Sequence, residues 1–357
     1  MAEQQSYAQE AVIYLVSENM KRVLALCSFL VVLVSCNSTY EADRQFLASQ
    51  EVCTIQDSVC KMSFPISMDI VNGESFVVSD GASVYLFGMN GRFIRIIGAS
   101  GNAKNEYNGP SVVKACGDSI YVWSSMSLCF LSYHLDGTPG VVYSYPSAVC
   151  DFVPTNSFFI VYTAGVLGDH VLDIVPKCGS VTTSVHDASE THRILCSNAS
   201  TAPIYYQDDK VFFSPKDSIV LYSFDLKTHQ TDRIGIIESS SFKVEPLPDM
   251  LKQMDRKSRS AYLRHNSMSI LLFPDTSGNF NMMTLEGETV LTKDGVSNKD
   301  RYFAIYPFGQ KGNVSYYNLE SFGYWHLFSY KNGYIYFISH SISREEDKYC
   351  LKRFSSD

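Results

Sequence analysis

Apolar positions in residues 76–97 fall into short runs divided by turn residues. Phe76-Val77-Val78 and Val84-Tyr85-Leu86-Phe87 flank Ser79-Asp80-Gly81, and a third run, residues 93–97, follows Met89-Asn90-Gly91. Asn-Gly is a strong hairpin signal, so the pattern predicts three short antiparallel strands with tight turns. Weaker copies recur downstream, each an aromatic or apolar residue followed by a turn residue four or five places later. Phe87 leads to Gly91, Tyr133 to Gly137, Ile174 to Cys178-Gly179, Phe224 to Thr228 and Met283 to Gly287, at intervals of 46, 41, 50 and 59 residues. A last unit, residues 302–354, holds Tyr334-Ile335-Tyr336-Phe337-Ile338. A period of about 40–50 residues with several strands per unit marks a propeller blade. The expectation is all-β: one six-bladed β-propeller over residues 51–357, with seven blades fitting the length less comfortably. Such a ring closes by pairing strands from the two chain ends, which removes free edges. Cys53-Thr54-Ile55 is therefore expected beside residues 349–354.

The long interval before Met283 holds an insertion. Pro248-Asp249 introduces MLKQMDRKSRSAYLRH, with Asp249 as N-cap and Met250, Leu251 and Met254 on one helical face. Lys252, Arg256, Lys257, Arg259 and Arg264 make it the most basic segment of the chain. Two readings stand: an anion-binding patch or lid, or a solvated helix covering a blade edge.

The N-terminus reads as an address. Met20-Lys21-Arg22 precedes an apolar run, residues 23–34, then Ser35-Cys36. That run is shorter than the roughly 20 residues a transmembrane helix needs, and the order is that of a signal peptide, residues 20–35. Leu33-Val34-Ser35-Cys36 resembles a bacterial lipobox, which implies cleavage before Cys36 and acylation of its sulfur. An ordinary secretory signal with a chance cysteine is the other reading. Residues 1–19 read as an over-extended start, and residues 36–50 as a polar tether. Only Glu41 and Asp43 are acidic near Cys36, so the periplasmic face and the cell surface both remain open.

Composition changes the picture little. The chain has 357 residues, 23 Tyr, 22 Phe and a net charge of −8. The aromatics suit pleated, half-buried strands. The charge argues against a nucleic-acid partner, which calls for a basic stripe. The histidines, His134 to His340, form no H-x-x-x-H or H-E-x-x-H, so no metal and no cofactor are expected. Asp275-Thr276-Ser277-Gly278-Asn279 reads as a hairpin turn, lacking the terminal Glu of a calcium loop. No nucleophile elbow or phosphate loop is present, and no catalytic residue can be nominated. Eight cysteines besides Cys36 follow the signal without a C-x-x-C; Cys53 with Cys60 and Cys116 with Cys129 are the nearest in sequence. Asp57-Ser58-Val59, Asp118-Ser119-Ile120 and Asp217-Ser218-Ile219 read either as O-glycosylation signals or as turns leading into strands.

Val84-Tyr85-Leu86-Phe87, Gly91-Arg92-Phe93-Ile94, Ile97-Gly98, Gly101 and Glu106-Tyr107 together resemble the repeat of six-bladed β-propeller lipoproteins of Bacteroidota, relatives of NHL and TolB-like propellers. The chain departs from that repeat at Ala103-Lys104-Asn105. Gly98, Gly101, Glu106 and Tyr107 read as an inter-blade loop or as part of a ligand site. The resemblance implies an exported cell-envelope protein, held by lipid at the outer membrane. The function expected is a non-catalytic ligand- or partner-binding module, its partner a glycan, a peptide or another envelope protein. The alternative is a propeller hydrolase or lyase acting on glycan or peptide.

Overall fold

The computed structural model describes residues 48–56, 62–163, 169–179, 181–196, 201–245, 262, 265–287, 290–292, 295–297, 301–309, 314–318, 328–342 and 347–355. All of them belong to the compact unit spanning residues 46–357. The signal segment, the start region and residues 36–47 of the tether lie outside the described residues, and Gln50, the last tether residue, opens the first strand.

The fold is a six-bladed β-propeller, each blade a four-stranded antiparallel sheet. The first blade holds β2 (Ser67–Ile70), β3 (Ser75–Ser79), β4 (Val84–Gly88) and β5 (Phe93–Ile96). The second holds β6 (Pro110–Cys116), β7 (Ser119–Ser124), β8 (Cys129–His134) and β9 (Pro139–Ser144). The third holds β10 (Val149–Pro154), β11 (Phe158–Thr163), β12 (His170–Pro176) and β13 (Thr183–Asp187). One short helix, α1 (Glu190–Cys196), leads to the fourth: β14 (Ile204–Gln207), β15 (Lys210–Phe213), β16 (Val220–Asp225) and β17 (Thr231–Ile236). The fifth holds β18 (Met268–Pro274), β19 (Phe280–Glu286), β22 (Tyr302–Pro307) and β23 (Ser315–Asn318); between β19 and β22 stands a separate hairpin, β20 (Val290–Thr292) and β21 (Gly295–Ser297). The sixth is composite. β24 (Phe328–Lys331), β25 (Tyr334–Ile342) and β26 (Asp347–Ser355) come from the C-terminal part, and β1 (Gln50–Thr54) forms its outermost strand.

That closure brings the two segments together as expected. Cys53 pairs with Leu351 and Thr54 with Cys350, and Ile55 N–H donates to the Tyr349 carbonyl at 2.8 Å. Blade faces pack on one another, so middle strands are buried on both sides and read as unbroken apolar runs. All five residues of β3 are buried. Outermost strands are wet instead: the last three residues of β5 are exposed. The seam between the second and third blades is aromatic. The Phe130 and Phe159 rings stack at 4.5 Å, with Trp123 4.7 Å and Phe152 4.8 Å from Phe130.

Two expectations change. The repeat anchors Phe87, Tyr133, Ile174 and Phe224 all lie on third strands, but Met283 lies on β19, the second strand of its blade. The β20–β21 hairpin stands between the second and third strands of that blade, so its third strand is β22 and Gly287 follows the second strand instead. Cys116 and Cys129 are also not neighbours. Cys116 pairs with Ser119 and Cys129 with Ser124, at opposite ends of β7. About 3.3 Å per residue along that strand puts them well beyond bonding reach. Cys60 lies outside the described residues.

Candidate functional site

The innermost strands β2, β6, β10, β14, β18 and β24 surround the axis, and an axial cavity of about 180 Å³ touches all six. An inner strand has no further strand on its axial side, so its amides need other partners. Here side chains of the preceding blade supply them. Val113 N–H donates to Ser67 Oγ at 3.1 Å, Ala115 N–H to Asp69 Oδ2 at 2.8 Å, and Ala202 N–H to Asp151 Oδ2 at 3.0 Å. Across the closure, Ile70 N–H reaches Ser329 Oγ at 3.4 Å. Polar side chains on the inner strands thus act as struts between blades.

Three charges stand among these struts. Lys114 Nζ lies 2.9 Å from Asp151 Oδ1 and 3.2 Å from Oδ2, with side-chain exposures of 15% and 3%. Asp151 also accepts from Phe152 N–H at 2.8 Å. Burial pushes Lys114 down, but the carboxylates of Asp151 and Asp69 outweigh it and hold the ammonium above the ordinary lysine range. Burial pushes Asp151 up, against the pull of Lys114 and the two amides. Contacts of the Lys114 ammonium with both carboxylate oxygens give the pair ion-pair geometry. Asp69 Oδ1 accepts from Ser329 Oγ at 2.5 Å. Its carboxylate borders the cavity while Lys114 is bound bidentately by Asp151.

The ends of the inner strands contribute rings. Tyr205, Tyr206 and Tyr330 line the cavity beside Lys331, and the Tyr205 and Tyr330 centroids are 6.1 Å apart. Tyr330 is fixed: it stacks on Phe273 at 5.5 Å and donates to the Pro274 carbonyl at 2.9 Å. Tyr205 meets Phe280 edge-on at 5.8 Å. Such a site offers aromatic faces, hydroxyls, one half-buried carboxylate and one outer lysine. Among the described residues no group of three or more His, Cys, Asp or Glu is placed to hold a metal ion.

The residues singled out in the sequence lie elsewhere. Gly98, Gly101, Glu106 and Tyr107 build the connection between β5 and β6. Gly98 has φ +68°, and a Cβ there would lie 2.6 Å from the Tyr133 ring. Gly101 N–H donates to the Tyr107 carbonyl at 3.0 Å, and Glu106 Oε2 accepts from Ala103 N–H at 2.9 Å. Tyr107 is fully buried, accepts Val84 N–H at 3.2 Å, and its phenol is pushed by burial up to about 12. None of the four lines the axial cavity. Asp275 to Asn279 form the β18–β19 turn, where Asp275 Oδ1 accepts from Ser277 and Asn279 N–H. Asp118 and Asp217 stand at turns before β7 and β16. Cys36, Asp57 and the basic set Lys252, Arg256, Lys257, Arg259 and Arg264 lie outside the described residues.

The sequence reading missed Asp69, Lys114 and Asp151. A signal was present: each is a lone charge within an apolar run, as in Met68-Asp69-Ile70, Val113-Lys114-Ala115 and Cys150-Asp151-Phe152. A charge there needs a partner, since Asp and Lys are almost never buried unpaired.

No family model matches the sequence, and no curated protein does. Solved structures do match in shape. An exported protein from Bacteroides fragilis is similar at a TM-score of 0.56 and 13% identity, over 87% of this chain and 94% of that one. A member of the DUF4221 family from Bacteroides vulgatus is similar at a TM-score of 0.58 and 9% identity, over 86% and 95%. At these identities the likeness concerns the propeller fold.

Proposed function

We propose that the protein is an exported, non-catalytic binding module whose ligand seats in the axial channel. The observation that carries this reading is the cavity itself, where all six inner strands meet and fixed tyrosines stand beside a half-buried carboxylate. Ligand sites are concave, with apolar and aromatic walls and a few placed polar groups. No group there is arranged as a nucleophile beside a base, so nothing favours the hydrolase or lyase alternative. Glycans and peptides suit the walls, since both present faces for tyrosine and hydroxyl or amide groups for Asp69 and Ser329. Export through residues 20–35 and acylation of Cys36 complete the reading, which places the module in the envelope, at the outer membrane. The resemblance of the first repeat to envelope propellers supports that address.

The test is a calorimetric or thermal-shift screen of envelope oligosaccharides and peptides against wild type, Tyr205→Ala and Asp69→Asn. A ligand of the channel loses at least about tenfold in affinity in one variant while circular dichroism stays unchanged. Ligands that bind both variants as tightly as wild type would move the site off the axis.

A further inference from the structure

Away from the channel, a second polar cluster is sealed between the third and fourth blades. Cys150 on β10 and Cys196 at the end of α1 are each 2% exposed and belong to one hydrophobic cluster. The neighbouring Cys196 thiol is the main cause that holds the Cys150 thiol below the ordinary thiol range. One helical turn before Cys196, His192 Nδ1 accepts the Lys216 N–H at 3.0 Å, so the ring proton of this neutral imidazole is on Nε2. Nε2 lies 3.5 Å from Cys196 Sγ. The Thr201 carbonyl accepts Lys216 Nζ at 2.5 Å and also lies 3.9 Å from Cys150 Sγ. A fully buried ammonium therefore shares one carbonyl with the first thiol, while an imidazole N–H faces the second.

We propose that Cys150 and Cys196 are the sites of an oxidative cross-link, a disulfide that ties α1 to the innermost strand of the third blade. The inference rests on the export reading, because disulfides form and persist in the envelope and not in the reducing cytosol. The contact selects this pair among the described cysteines. Cys116 and Cys129 are held apart by the length of β7, Cys178 is exposed, and Cys53 and Cys350 fall at alternate positions of the β1–β26 ladder, opposite Leu351 and Thr54. Both sulfurs lie in one packed cluster, where the bond would bring them to about 2.05 Å.

The chemistry balances with a disulfide oxidant, such as oxidised glutathione or a C-x-x-C oxidase. The Cys150 thiolate attacks one oxidant sulfur, forms a mixed disulfide and expels the other sulfur as a thiolate. The Cys196 thiolate then attacks the Cys150 sulfur, forms the Cys150–Cys196 bond and expels the second oxidant thiolate. Two electrons pass to the oxidant, and the two cysteine protons end on its sulfurs. Folding afterwards buries the bond among apolar side chains, out of reach of reductants.

The test has two arms, both on the full chain. In the first, protein made in its own envelope is denatured with N-ethylmaleimide and mapped by mass spectrometry without reduction. In the second, reduced protein is refolded in a glutathione redox buffer and mapped the same way. The expected result in both is a peptide joining Cys150 to Cys196, with Cys178 alkylated. Reduction should then lower the melting midpoint by about 5 °C, a shift that Cys150→Ser abolishes. A linked peptide after refolding but alkylated thiols in cells would sustain the cross-link and refute the export reading. Both thiols alkylated in both arms, or a different pairing, would overturn the proposal.

Discussion

Replacing Asp151 with Ala tests whether the axial ion pair is a desolvated strut. The change strips Lys114 of oxygens at 2.9 and 3.2 Å and leaves the Phe152 and Ala202 amides without their acceptor. Removing one partner of a buried pair costs about 3–5 kcal/mol, and an orphaned buried amide adds about 1–3 kcal/mol. Two effects work against the full sum: Asp69 stays close enough to attract the ammonium, and the cavity admits water. A loss of about 4 kcal/mol is expected, a large share of a typical stability of about 5–15 kcal/mol. The assay is urea unfolding of wild type, Asp151→Ala, Lys114→Met and the double variant Lys114→Met/Asp151→Ala. In the double variant no buried charge is stranded, so it should lie about 2 kcal/mol or more above the sum of the single losses. A cost below about 1 kcal/mol for Asp151→Ala would refute the reasoning. Simple additivity would refute it equally, since it would mean that each charge is solvated on its own.

Further outcomes follow from other parts of the molecule. Burial, with Lys216 beside it, lowers His192 to about 3, against about 6.5 in an unfolded chain, so the unfolded chain binds the proton first. Stability from this residue is therefore present above pH ~6.5 and lost at about 1.4 kcal/mol per unit as pH falls towards ~3; urea titrations of wild type and His192→Asn should differ in slope only in that window. Deleting residues 347–357 removes β26 and with it the seat of β1, and the expected result is loss of the cooperative melting transition. Changing Cys36 to Ala should release the protein from the membrane fraction and abolish incorporation of labelled acyl chains; retention with unchanged mobility would remove the anchor. Changing Lys252, Arg256, Lys257 and Arg259 to Ser should shift stability by about 0.5 kcal/mol or less per site and weaken retention on anionic liposomes at low salt. Equal retention would make that segment a structural cover.

The fold was legible because third strands are buried on both faces and end in turns that demand glycine or asparagine. Phe87 with Gly91, and Tyr133 with Gly137, repeat that local requirement, and a local requirement leaves a periodic trace. The fifth blade broke the trace where the β20–β21 hairpin stands between its second and third strands. The site was less legible because an axis has no local signature. Asp69, Lys114 and Asp151 stand 45 and 37 residues apart in sequence, and Ser329 a further 178 residues on, yet all four border one cavity. Their meeting depends on ring geometry, which spacing does not encode. Gly98 and Tyr107 stood out for the opposite reason: a positive φ and a buried phenol are demands of one loop, met within ten residues.

The pairing of β1 with β26 also sets an order in time. Gln50 and Arg353 are hydrogen-bonded across 303 residues of chain. Bringing such distant points together costs about 5 kcal/mol in loop entropy on a logarithmic chain estimate, and contacts this remote form late. The first strand made is thus among the last to find its place. On the proposed export route, a chain that crosses a membrane from its N-terminus would hold that strand in waiting until the final segment arrives. Throughout that interval β1 is an unpaired strand, open to the β26 of a neighbouring molecule. Crowding of newly delivered chains would then yield exchanged rings, whereas slow delivery would let each molecule complete its own.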